Sequence, residues 1–263
     1  MVAVSVYGLS AVYSIFLWRA GFRRHNFINY GFLLLGFIFH TLAMLRRGYS
    51  LSRCPMNNLF EATMFIGWTI VGSYLLLGLV PRLRFLGAFA APLLFGLGVF
   101  ALMPALDAPE PRPELAGSWF SLHASLIFLA YGSFGLSSVA GLMYLTQEHD
   151  LKFHRFRAVF SLLPPIQRLE WLVSRLLLGG FLLLTAGLVV GMLWLKKAQG
   201  VFYKPDPKIH WSWFVWISYL ALLIMYWRFA QRGRRIAWGA IGGFVFILLT
   251  FWGFNLFSPL HHP

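Results

Sequence analysis

The chain has 263 residues, of which 59% are apolar and 11% are charged. Soluble globular domains carry roughly 25% charged residues, so this composition excludes a soluble domain and predicts an integral membrane protein in contact with lipid. The net charge of +14 does not indicate nucleic-acid binding, because the cations lie in short breaks between apolar runs and leave no basic arm.

The apolar runs predict an all-α integral membrane protein with about eight transmembrane helices, because about 20 apolar residues cross the hydrocarbon core as a helix. Residues 1–263 are expected to form a single polytopic domain. A short interfacial helix is predicted at Gln167–Ser174, inside the long connection Gln147–Arg175. In chain order, the predicted transmembrane helices are Val2–Trp18, Asn29–Leu45, Leu59–Leu79, Phe85–Met103, Leu122–Thr146, Leu176–Leu195, Trp211–Phe229 and Ala237–Phe257.

Lysine and arginine residues predict the orientation of these helices. The breaks after the first, third, fifth and seventh helices hold 14 of them, counting Arg228 at the end of the seventh helix, and the breaks after the second, fourth and sixth hold 8. Because positive charge accumulates in cytoplasmic loops, the first set is predicted to face the cytoplasm and both chain ends to face the outer side. The expected location is the plasma (inner) membrane of a bacterium.

The histidines divide under this topology. His25, His149 and His154 lie among arginines in cytoplasmic breaks and are interpreted as solvated loop residues. His40 lies inside the second predicted helix, where an imidazole without a partner is costly. It is therefore a candidate functional residue, and a hydrogen bond to a neighbouring helix is the alternative explanation, which is the better one for His40 taken alone. The histidines in or near the outer half of the membrane are His40, His123, His210, His261 and His262.

Histidines on separate helices can converge on one site. Two imidazoles that face each other across a flat cofactor are a common way to hold haem iron, so the outer histidines predict a haem site. The break at residues 196–211 is the expected haem-facing loop, with aromatic rings to pack on a porphyrin and cations to pair with propionates. An aromatic belt with interfacial anchors is the alternative explanation. The residues concerned are Phe202, Tyr203, Pro205, Trp211, Trp213, Lys196, Lys197, Lys204 and Lys208, with Arg46, Arg47 and Arg53 in another outer loop.

Motifs of soluble enzymes are absent from the sequence. It contains no phosphate-binding glycine loop, no metalloprotease helix motif and no nucleophile elbow. The single cysteine, Cys54, excludes an intramolecular disulfide bond. Glu61, at the outer end of the third predicted helix, is interpreted as a hydrogen-bonded helix-end carboxylate, with a proton-relay role as the alternative.

Several segments together resemble a known family in the expected order. The chain is similar, over nearly its whole length, to the cytochrome c assembly family of the CcsA, ResC and HemX type. The segments that carry the resemblance are Cys54–Glu61 before and into the third predicted helix, Ser118–His123 followed by Tyr131, Gly191–Trp194, Gly200 through Asp206-Pro207-Lys208 to Trp211, Arg232–Arg235, Gly253–Leu256, and Leu260-His261.

The resemblance implies a haem-binding role. It implies that His123 and His261 are the axial ligands of an outward-facing haem b, and that His40 is a membrane-buried histidine that receives haem or helps conduct it. It also implies cofactor contacts from the tryptophan-rich segments, at Trp119, Tyr203, Asp206 and Trp211. The implied partners are membrane lipid, a CcsB/ResB-like membrane protein and apocytochrome c, and the chain would at most be a component of a cytochrome c synthase (haem lyase) complex.

One departure from the family pattern keeps a second hypothesis open. Three tryptophan positions of the external loop correspond here to Gln199, Tyr203 and Pro205, and Ile209 stands where a glutamate is usual. The first hypothesis is a protein that presents haem on the outer side for cytochrome c maturation. The second is a HemX-like membrane regulator that acts on a tetrapyrrole-synthesis enzyme, and the third is a small-molecule transporter without haem.

Overall fold

The computed structural model describes residues 1–20, 26–51, 58–103, 106–107, 118–152, 165–229 and 232–256. These residues form eight α-helices and one short 3-10 helix at Pro81–Leu86, so the all-helical prediction is confirmed for the described part of the chain. The helices are α1 (Val2–Ala20), α2 (Asn26–Leu51), α3 (Leu59–Gly78), α4 (Gly87–Ala101), α5 (Ser118–Lys152), α6 (Ile166–Gln199), α7 (Pro207–Arg228) and α8 (Arg234–Leu256).

Helix length and apolarity indicate a multi-pass membrane protein. Among the described residues, six segments are long and apolar enough to cross a membrane, and Val2–Trp18 is a shorter apolar helix. The six segments are Asn26–Leu51, Leu59–Gly78, Leu83–Ala101, Ser118–His149, Ile166–Gln199 and Pro207–Arg228.

The predicted interfacial helix at Gln167–Ser174 is wrong. These residues form the first turns of α6, which runs without interruption through 34 residues. Backbone hydrogen bonds continue through polar side chains, so a polar stretch that follows a break in hydropathy can still belong to the same helix. The loop predicted at 196–211 is likewise shorter, because α6 ends at Gln199 and α7 begins at Pro207.

Helix α5 lies at the centre of the bundle. It packs along α6 and also against α3 and α8, whereas α1 packs on α2 and α4 at the side of the bundle. Close approach of α3 and α5 depends on Gly132, because a Cβ atom there would lie 2.6 Å from Oγ1 of Thr69. At 35 residues α5 is about 52 Å long, which exceeds the roughly 30 Å of the hydrocarbon core, so it extends beyond the membrane.

One end of the bundle brings together one terminus of each helix from α2 to α7. Helices α2, α4 and α6 end here, and α3, α5 and α7 begin here. Arg47 near the end of α2 contacts Glu61 in the first turn of α3 and Asp107 after α4. We call this side the cavity end, because the starts of α5 and α7 and the end of α6 form a cavity on it.

Candidate functional site

The imidazole of His123 is held in one tautomer at the cavity end of α5. Its Nδ1 lies 2.7 Å from the carbonyl oxygen of Gly187 on α6. A carbonyl oxygen only accepts hydrogen bonds, so Nδ1 carries the proton and donates it. In the neutral ring Nε2 then bears a lone pair, which is the state in which histidine binds a metal ion.

Gly191 makes room for this imidazole. A Cβ atom at Gly191 would lie 2.6 Å from Nδ1 of His123 and 2.7 Å from its Cε1. Both distances are shorter than van der Waals contact, so a larger residue at this position would displace the ring. Gly187 and Gly191 are one turn apart on α6 and act together, the first through its carbonyl and the second through its missing side chain.

His123 faces a cavity of about 220 Å³. Its walls are formed by α5, α6 and α7, with Ala62 of α3, and its rim by Phe202 and Tyr203, which are about half exposed. The lining is mostly apolar, is rich in aromatic rings and includes Lys208 as a cation, so the cavity suits a flat apolar molecule with an acidic substituent. The aromatic residues of the walls are Phe120, Phe128, Tyr131, Trp194, Trp211 and Trp213.

Trp211 connects the cavity to α8. Its ring is buried and meets that of Tyr131 edge-on, with 6.3 Å between the ring centroids. Its Nε1 donates a hydrogen bond of 2.9 Å to Oγ1 of Thr250 on α8. The last turns of α8 therefore lie beside the wall of the cavity.

Asp206 and Tyr203 have structural contacts in the short loop before α7. Asp206 is buried and caps α7, since its carboxylate accepts a hydrogen bond of 2.8 Å from the backbone N–H of Lys208. It does not belong to the cavity lining. Tyr203 does line the cavity, and its hydroxyl lies 2.6 Å from Nε2 of His210. His210, expected to precede the seventh helix, lies within the first turns of α7.

Comparison with known proteins gives the family. The model of the cytochrome C assembly protein family matches residues 56–262. The chain belongs to this family. Proteins named cytochrome c biogenesis protein CcsA are similar to it. The one from Guillardia theta is 27% identical over 90% of this chain and 85% of the relative. The one from Synechococcus sp. is 29% identical over 82% and 79%, and the one from Prochlorococcus marinus is 28% identical over 96% and 91%.

The family match covers most of the predicted site residues. His123, the loop before α7 and His261 lie within it, whereas His40 precedes it. His261 and His262 lie outside the described residues, as do Cys54 and Arg53.

Trp119 and its neighbour Phe120 point in different directions. Trp119 is exposed, and Nζ of Lys197 lies 5.8 Å from the centroid of its ring. Phe120 lines the cavity and packs against Trp194, with 5.2 Å between the ring centroids. Successive residues of a helix are about 100° apart, so only one of the two can face the cavity. The sequence analysis expected a cofactor contact from Trp119 and did not name Phe120 as one.

His40 is buried away from the cavity, between α1 and α3. Its Nδ1 and the hydroxyl of Tyr7 share a hydrogen bond of 3.2 Å, and its Cε1 would be 3.8 Å from a Cβ atom at Gly67. Its Nε2 is buried, and no described residue meets it with hydrogen-bond geometry. Its position therefore matches the helix-to-helix hydrogen bond that was the alternative explanation, because the ring also lies against the backbone of Met64 on α3.

The family segment that opens α3 forms an ionic cluster. Asn58 caps α3, and Nε of Arg47 donates a hydrogen bond of 2.8 Å to the buried carboxylate of Glu61. The same guanidinium binds Asp107 through both terminal nitrogens and thereby lowers the pKa of that carboxyl below its usual value. Arg47, which the sequence offered as a propionate partner, thus pairs with two acids of the chain itself. Glu61 is a hydrogen-bonded helix-end carboxylate, as expected.

The sequence analysis named Gly191 only as part of a family segment and did not name Gly187. They form a Gly-x-x-x-Gly pattern, which in membrane helices indicates close approach of a neighbouring helix. That pattern could have predicted a tight contact on this face of α6. It could not have shown that the contact is with the imidazole of His123.

Proposed function

We propose that this protein binds haem b at the cavity end of the bundle through His123 and presents it on the outer side of the membrane for cytochrome c maturation. The observation that carries the proposal is the hydrogen bond from Nδ1 of His123 to the carbonyl of Gly187. A ligating histidine usually donates its second ring nitrogen to a carbonyl or carboxylate, which fixes the ring and raises its basicity. His123 has this arrangement, and its ring faces a cavity.

The lining of the cavity fits haem. When bound, haem supplies an iron centre that accepts nitrogen ligands, while the chain binds, orients and shields it. Phe120, Trp194 and Trp213 offer flat apolar faces, and Lys208 offers a positive charge for a propionate. The chain itself would contribute binding and orientation to a synthase complex.

His261 is the proposed second axial ligand. Thr250 of α8 is fixed beside the cavity by Trp211, and α8 continues to Leu256. The five residues from Leu256 to His261 can span at most about 17 Å. This distance supports an axial ligand that comes from the segment after α8.

The named relatives support maturation over regulation. The relatives reported above carry the name of cytochrome c biogenesis proteins, which favours a CcsB/ResB-like partner and apocytochrome c as the recipient of haem. The HemX-like alternative would require a tetrapyrrole-synthesis enzyme as partner. We therefore propose a role in cytochrome c maturation rather than in the regulation of tetrapyrrole synthesis.

Eight spans with both chain ends outside are proposed from the excess of cytoplasmic lysine and arginine. The cavity end is then the outer face. The bacterial plasma membrane is the proposed location, and the relatives from photosynthetic organisms make the thylakoid membrane a second candidate. In a Cys54→Ser background, a membrane-impermeant thiol reagent added from outside should label Lys204→Cys and leave Lys152→Cys at the other end of α5 unlabelled. The reverse labelling would invert the orientation.

The proposed haem binding is tested on the detergent-purified protein. We expect it to carry haem b that acid acetone extracts, with a low-spin absorption spectrum in the oxidised and reduced states, because two histidines give a strong ligand field. A preparation that takes up no haem when hemin is added would contradict the proposal.

A further inference from the structure

The hydroxyl of Tyr203 is hydrogen-bonded to the imidazole of His210. The side chain stands at the rim of the His123 cavity and is 50% exposed. Its hydroxyl lies 2.6 Å from Nε2 of His210, and the two rings meet edge-on. A phenol in such a contact is either the donor or the acceptor, and the surroundings of His210 decide which.

The backbone of Asp206 fixes the tautomer of His210. Nδ1 of His210 lies 2.9 Å from the carbonyl oxygen of Asp206, which can only accept, so Nδ1 carries the ring proton. Nε2 of the neutral ring is then an acceptor, and Tyr203 donates to it. Asp206 is buried and caps α7, so the carbonyl that orients His210 is itself held in place.

We propose, on the basis of the haem site described above, that Tyr203 is an additional iron ligand that holds ferric haem when His261 is not bound to it. Tyrosine is an established ligand of haem iron, and a phenolate oxygen is a hard anionic donor that suits ferric iron. Tyr203 lines the cavity at its rim, from the loop before α7, whereas His123 lines it from α5, so the two side chains come from different elements.

His210 makes the phenolate available. As the oxygen of Tyr203 binds iron, its proton passes to Nε2 of His210: the O–H bond breaks, an N–H bond forms, and no electron is transferred. Because a phenolate prefers ferric to ferrous iron, reduction of the haem by an added one-electron reductant should release Tyr203, which takes its proton back from Nε2 of His210, and leave His123 as the ligand of the haem.

Variants that lack His261 test the proposal. Ferric haem in His261→Ala should show tyrosinate vibrations in resonance Raman spectra, and His261→Ala/Tyr203→Phe should lack them. His261→Ala/His210→Ala should bind ferric hemin about tenfold more weakly than His261→Ala, the loss typical of a missing outer-shell partner. The matched control is His261→Ala/Tyr49→Phe, since Tyr49 is an exposed tyrosine at the end of α2. It should keep both the vibrations and the affinity.

Two results would overturn the role of Tyr203. One is a His261→Ala protein that takes up no ferric haem. The other is a spectrum of that protein that Tyr203→Phe leaves unchanged. Neither result would contradict haem binding by the unmodified chain, because the low-spin spectrum of that protein tests it separately.

Discussion

Gly191→Ala is expected to lower the amount of haem bound per protein. The new methyl carbon would lie 2.6 Å from Nδ1 of His123, so the ring must move and its 2.7 Å hydrogen bond to Gly187 must lengthen. Loss of an outer-shell contact of this kind costs about 10- to 100-fold in metal affinity. Overpacking should also lower the free energy of unfolding by about 1–3 kcal/mol. Haem content per protein and the thermal melting temperature measure the two effects.

The matched control lies on the same helix. A Cβ atom at Gly179 would meet nothing within 4 Å, so Gly179→Ala adds the same methyl group to α6 without displacing a neighbour. It should retain haem and gain up to about 1 kcal/mol of stability, because alanine is the better helix former. Equal haem content in the two alanine variants would show that the Gly191 contact does not position His123.

His40→Gln is expected to fold normally and to contain less haem in the cavity. The side-chain amide of glutamine can exchange a hydrogen bond with Tyr7, as His40 does through Nδ1. Hydrogen bonds between membrane helices average about 0.6 kcal/mol, so even its loss would leave the fold intact. An amide is a poor iron ligand, however, so a haem that must pass His40 would no longer reach the outer site, and added imidazole should restore part of it.

Tyr7→Phe separates these two roles of His40. It removes the hydroxyl that bonds Nδ1 and keeps the imidazole with its buried Nε2. Haem content should therefore stay close to that of the unmodified protein in Tyr7→Phe and fall in His40→Gln. Full haem loading of His40→Gln would show that His40 only forms a hydrogen bond between helices and does not handle haem.

The helices could be predicted from the sequence because each has a long apolar run that needs no tertiary information. Their ends could not be predicted equally well. Gln167–Ser174 contains charged residues and reads as a break in hydropathy, yet it continues α6 because helical hydrogen bonds do not depend on side-chain polarity. The length of the loop expected at residues 196–211 was overestimated for the same reason, since Lys196 and Lys197 lie in the last turn of α6.

The candidate site was only partly predictable. Residue type indicated His123 and Trp211, which line the cavity. The direction of a side chain depends on helical phase, which is why Phe120 lines the cavity while Trp119 is exposed. The contribution of Gly191 depends on which helix faces α6, and a single sequence does not contain that information.

The most direct test of haem binding through His123 is the ferric absorption spectrum of His123→Ala, recorded with and without added imidazole. We expect the variant to contain little haem or to show a high-spin spectrum, because one axial nitrogen is missing. Imidazole should then enter the vacated space and restore the low-spin spectrum. A His123→Ala protein with the haem content and the low-spin spectrum of the unmodified chain, in the absence of imidazole, would contradict the assignment of His123 as an iron ligand.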